Sequence, residues 1–145
     1  MDWKIEVVTV PVSDQDRAID FYANKVGFAV DIDFKVNDEV RLVQMTPPGS
    51  GCSIHLSTPG MGMETGSLSG VFLVVPDVRA AHAELSARGV DAGEVQIFDD
   101  GAYRPAREDE SLDNVGCVFF GDPDGNSWCV QQIPARDEAS VEGDG

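Results

Sequence analysis

Residues 10–28 of this chain can be laid on residues 73–90, and this internal repeat restricts the fold more than any other feature. Asp14 falls on Asp77, 63 positions later, and Ala18/Ala81, Tyr22/Leu85 and Lys25/Arg88 keep that offset. A one-residue deletion then restores Gly27/Gly89. In each copy a β-rich run, Ile5 to Val12 or Gly70 to Val75, stops at Ser13-Asp14 or Pro76-Asp77. A short oxygen-bearing side chain there can accept from the first free amides of a helix, which predicts a helix start. Apolar residues follow at helical spacing: Ala18, Tyr22 and Val26 in the first copy, Val78, Ala81, His82 and Leu85 in the second. Gly27 and Gly89 stand where a helix ends on a left-handed residue.

After each helix the pattern turns to strands. In the first copy Ile32, Phe34 and Val36 alternate with Asp31, Asp33 and Lys35. The chain then turns at Asn37-Asp38 into Val40 to Thr46, and at Pro47 to Gly51 into Cys52 to Ser57. The second copy gives Val90 to Phe98, Val115 to Gly121 and, after Asp122-Pro123-Asp124-Gly125-Asn126, Ser127 to Ile133. Residues 99–114 lack an apolar period and read as a long loop, a lid or mobile excursion. The expected fold is α+β, two tandem βαβββ modules forming a curved mixed sheet. Module 1 covers about 4–57, the linker 58–69 and module 2 about 70–133, within a single domain of residues 1–135. Residues 136–145 are expected to form a disordered acidic tail.

Composition narrows the partners. A formal charge of −16 repels nucleic acid and anionic lipid. The longest apolar stretches, 71–75 and 117–120, fall far short of the roughly 20 residues that span a bilayer. No basic segment followed by an apolar run opens the chain, so a cytoplasmic location is expected. Three scattered cysteines without a C-x-x-C pair form neither a disulfide framework nor a structural zinc site.

One helix beside four strands covers one face of a module's sheet, so the opposite faces of both copies are expected to share a concavity. Strand residues alternate faces, which sends His55 with Ser53 and Ser57, away from Ile54 and Leu56. By the same parity Cys129 travels with Ser127 and Gln131, while Cys52 travels with Ile54 and reads as a core thiol. His55 can hydrogen-bond a ligand or act as an acid or base, and is equally read as a satisfied strand histidine. Cys129 is a nucleophile if a positive group lowers its pKa, and otherwise a small buried filler. Tyr103 and Arg104, with Arg107, lie in the 99–114 loop, where a lid over an aromatic or anionic ligand would need them. The Glu108-Asp109-Glu110 cluster reads as a solvated charge run.

The doubled module, the Phe21-Tyr22 and Val26-Gly27-Phe28 pairings of the first helix and the run Phe120 to Trp128 resemble the vicinal oxygen chelate superfamily, which includes glyoxalase, bleomycin-resistance and dioxygenase proteins. The resemblance covers about residues 5–133. In metal-dependent members a divalent ion is held by one residue on the first and one on the last strand of each module. Those positions here are Val7, His55, Gly70 and Cys129, of which only two carry a donor atom. The resemblance therefore implies a glyoxalase/bleomycin-resistance fold with no metal and no other cofactor. It implies binding of a small apolar or aromatic molecule, with Val7, Thr9, Phe72 and Val74 lining the cavity and His55 and Gln131 as anchors. A homodimer is implied by analogy. The alternative is a lyase, isomerase or dioxygenase of the glyoxalase type, with an atypical metal site or with His55, and with or without Cys129, as catalytic groups.

Overall fold

A computed structural model describes residues 1–59 and 62–134, so the expected acidic tail lies outside the described residues. The first module runs β1 (Val7–Pro11), α1 (Gln15–Asp20), β2 (Ala29–Lys35), β3 (Arg41–Thr46) and β4 (Ser53–Ser57). Between α1 and β2 the helix continues as a π-helical stretch, Phe21–Val26. The second module runs β5 (Val71–Val75), α2 (Val78–Ala87), β6 (Gln96–Asp99), β7 (Ala102–Pro105), β8 (Gly116–Gly121) and β9 (Ser127–Gln132).

The expected caps are present. The Asp14 side chain accepts from Arg17 N and that of Asp77 from Ala80 N. Gly27 and Gly89 have φ of 93° and 84°, the left-handed region that a Cβ disfavours. The wide π turn has a packing consequence: consecutive Phe21 and Tyr22 are both buried, their rings edge to face at 5.1 Å.

Hydrogen bonding separates two sheets, ordered β1-β4-β3-β2 and β5-β9-β8-β6-β7. In each, the first strand pairs in parallel with the last and the others pair antiparallel. The second sheet has one strand more than the repeat predicts. Residues 102–105, expected within a long loop, return from β6 as a hairpin, with Phe98 opposite Tyr103. Asp100 and Gly101 both have positive φ, 52° and 81°, which is the tight turn that an Asp-Gly pair favours. Residues 90–95 lie outside the strand expected from Val90 onward, which starts at Gln96.

A single hydrophobic cluster draws on both modules, including Val10, Tyr22, Met45 and Leu56 from the first and Val118, Phe120, Trp128 and Val130 from the second. Burying each large side chain stabilises the fold by about 1.5–3 kcal/mol. The turn Asp122–Asn126 fastens the modules. Asp122 accepts from Tyr22 Oη at 2.7 Å and from the Asn126 amide side chain at 2.8 Å. Asn126 also donates to Pro11 O and accepts from Leu68 N, while Asp124 holds Ser13 and Arg17.

Candidate functional site

The face of each sheet turned away from the core carries the predicted site residues. In the first sheet Thr9, His55 and Gln44 sit side by side on β1, β4 and β3, with Ile32 next on β2. Val7 lies beside Ser53, one step along the same face, and Leu42 and Phe34 continue it. In the second sheet Phe72, Cys129 and Phe119 form the equivalent row on β5, β9 and β8. Val74, Gln131 and Cys117 form the next row, bordered by Gln96. The alternation read from sequence thus holds for His55 against Ile54 and Leu56, and for Cys129 against Trp128 and Val130, which are buried in the core.

Aromatic side chains dominate the second face. Tyr103 packs against Phe98 and edge-on to Phe119, with both ring centroids at 5.1 Å. Phe72 is 49% exposed and Phe34, on the first sheet, 60%. Polar groups are interspersed. His55 is half-buried, Gln131 donates its amide to Asn114 O at 2.8 Å, and Thr46 Oγ1 lies 2.7 Å from Ser53 Oγ. The Ser57 hydroxyl, on the His55 side of β4, is buried without a hydrogen-bond partner among the described residues.

Arg104 departs from its expected place. Strand alternation puts it opposite Ile97, on the other side from Tyr103, where Asp99 and Glu110 take up its guanidinium. Glu110 is correspondingly no solvated charge: two Arg104 bonds and the Arg107 amide hold its pKa down to about 2. Residues 106–114 are also tied to α2, since Arg79 donates to Arg107 O at 2.6 Å. Cys52, expected in the core, is half-buried just ahead of β4, where its thiol donates to Ser53 O.

Among the described residues, the hydrogen bonds and aromatic contacts that link the modules run through Tyr22, Phe21, Phe28, Ser13 and Arg17 on one side and Asp122, Asp124, Asn126, Phe120 and Trp128 on the other, and not through the open faces. Among the described residues, no strand pairs with the outer edge of β1 or of β5. A cleft of about 660 Å³ opens along the β5 edge, between α2 and the turn 47–50, and takes in Phe72, Val74 and Arg88 but not His55.

The donor set does not suit the divalent ion that metal-dependent relatives would hold. Among the described residues no three His, Cys, Asp or Glu side chains cluster to hold a metal. Val7 and Gly70 offer no donor, and a hard ion prefers several oxygen ligands. Cys129 is also a poor nucleophile. Burial, and then the adjacent Cys117, push its thiol up to about 12, and His55 is not among the groups acting on it.

Several residues of the open faces escaped sequence reading. Phe119 and Cys117 sit in the apolar run 117–120, in which alternation is invisible, and Phe98 ends a sequence run that fixes no face for it. The face of Gln44 is fixed only by its register with His55.

The Glyoxalase/Bleomycin resistance protein/Dioxygenase superfamily model matches residues 4–130. TnmS3, an antibiotic binding protein from Streptomyces sp. CB03234, has a similar structure, with a TM-score of 0.70, 31% identity, and coverage of 92% of this chain and 98% of its own. A glyoxalase/bleomycin resistance protein from the same strain gives 0.68 and 32% identity over 89% of this chain and 100% of its own. A member of the superfamily from Sphaerobacter thermophilus DSM 20745 gives 0.70 and 28% over 90% and 98%. Fold, doubled module and sequence agree, and the chain belongs to the glyoxalase/bleomycin resistance protein/dioxygenase superfamily.

Proposed function

We propose that this protein binds a small apolar or aromatic molecule without a divalent metal, between open faces that a second copy of the chain brings together. The observation that carries the reading is the composition of those faces. Phe72, Val74, Phe98 and Tyr103 on one sheet and Val7, Ile32, Phe34 and Leu42 on the other are all exposed, more apolar surface than a solvated sheet face normally shows. Val7, Thr9, Phe72 and Val74 line the cavity in this reading, Tyr103 closes its rim, and His55 and Gln131 anchor the ligand. The free edges of β1 and β5 supply the seam of a homodimer, since unpaired apolar edges favour pairing. Residues 1–135 act as one domain in each copy. The similarity to TnmS3 supports an antibiotic-like ligand. The three free thiols suit a reducing, cytoplasmic setting. A glyoxalase-type reaction using Cys129 has the protonated thiol against it.

The test is a fluorescence titration with a panel of aromatic antibiotics, combined with native mass spectrometry. Binding by a two-chain species is expected, with His55→Ala weakening it about tenfold, the value of one hydrogen bond. Tight binding by single chains, or no binding by any panel member alongside metal-dependent turnover, overturns the reading.

A further inference from the structure

We propose that Cys117 and Cys129 together form a two-thiolate site for a soft, thiophilic cation that takes two ligands, of the Cu(I) or Hg(II) kind. The inference rests on the placement of the two thiols and not on the small-molecule reading. Cys117 lies opposite Gln131 and Phe119 opposite Cys129, which makes the cysteines diagonal neighbours on one face of adjacent strands. Both are free, and 2% and 4% exposed. After burial, Cys117 is the group that acts most on the Cys129 thiol, and it acts on the Tyr103 hydroxyl as well.

Diagonal Cα atoms in an antiparallel pair lie about 7–8 Å apart. A disulfide closes comfortably only below about 7 Å, so direct oxidation requires the strands to shift. An ion with bonds of about 2.3 Å to each sulfur spans up to about 4.6 Å between them, a wider gap than a disulfide closes. Among the described residues no third His, Cys, Asp or Glu joins the pair, which leaves a tetrahedral zinc site short of ligands. Two sulfurs are instead what a soft monovalent or linear divalent ion selects. Phe72 and Phe119 flank Cys129 on the neighbouring strands, Tyr103 packs on Phe119, and the charge of −16 attracts any cation to the chain.

Uptake breaks two S–H bonds, sends two protons to the buffer and forms two metal–sulfur bonds. No electron moves when the ion is supplied as Hg(II) or Cu(I).

The experiment titrates Hg²⁺ into the reduced full chain carrying Cys52→Ser, with a monothiol as competitor. It reads sulfur-to-mercury absorption, proton release and the sulfur count by X-ray absorption. One ion per chain, two protons and two sulfurs are expected, with at least a tenfold loss of affinity in Cys117→Ala and Cys129→Ala. One sulfur or one proton per ion, or unchanged affinity in folded Cys129→Ala, overturns the proposal. Where an alanine variant fails to fold, the sulfur and proton counts of the Cys52→Ser protein decide alone.

Discussion

The Tyr22 hydroxyl accepts from the Trp128 indole at 2.9 Å and at the same time donates to Asp122 at 2.7 Å. One side chain of the first module thereby satisfies two buried groups of the second. Burial, reinforced by the Asp122 carboxylate, drives the phenol's pKa well above its usual value, so the hydroxyl keeps its proton. Tyr22→Phe removes the acceptor for the indole and a donor to Asp122, and is expected to cost about 1–3 kcal/mol. Urea unfolding measures it. A loss under about 0.5 kcal/mol would show that the link carries no stability.

Gly66 tests how the linker is held. Its amide donates to Pro11 O, its φ is 76°, and a Cβ there would run into the backbone of Asp124. Gly66→Ala is expected to destabilise by at least about 1–3 kcal/mol from backbone strain alone. Gly49, also at positive φ but in open space, serves as the control, and its alanine variant should lose less in the same melt.

The Glu110 pairing predicts a pH dependence. Its folded pKa, about 2, lies below the usual carboxylate value of 4.5, so its contribution is complete above the unfolded value. That contribution is lost as pH falls through the range from about 4.5 to about 2. Thermal midpoints of the parent and Glu110→Gln should therefore differ near neutrality and converge in acid. A difference that persists unchanged at pH about 2 would point away from the Arg104 pair.

If a second copy completes the ligand cavity, affinity must depend on protein concentration. Dilution below the dimer's dissociation range should weaken ligand binding in step with the fall in two-chain mass, by mass action. Sedimentation and ligand titration over one dilution series check it. Affinity that stays constant while the chains separate would place the whole cavity in one chain.

The sequence carried most of the framework, because each local signal agreed with the repeat. Asp14 and Asp77 cap helices, Gly27 and Gly89 end them, and the parity of His55 and Cys129 is as read. Two kinds of signal were harder to see. The Asp100-Gly101 turn marks a hairpin, but its flanks are short and mixed with charge, and β7 passed for loop. Arg104 follows from that same miss: without the strand, nothing sets it on the opposite side from Tyr103. How the open faces are placed is a tertiary property. It depends on the core-side contacts of Tyr22 and Asn126, which no periodicity records.

The Asp-Pro-Asp-Gly-Asn turn works as a clasp, and it grips on the side of the sheets away from Thr9, His55, Phe72 and Cys129. Closure and ligand choice are therefore written in different residues. Proteins that share the clasp can exchange every side chain on the opposite surface without loosening it, so a chain recognised by this turn discloses its architecture while its appetite for ligands is free to diverge.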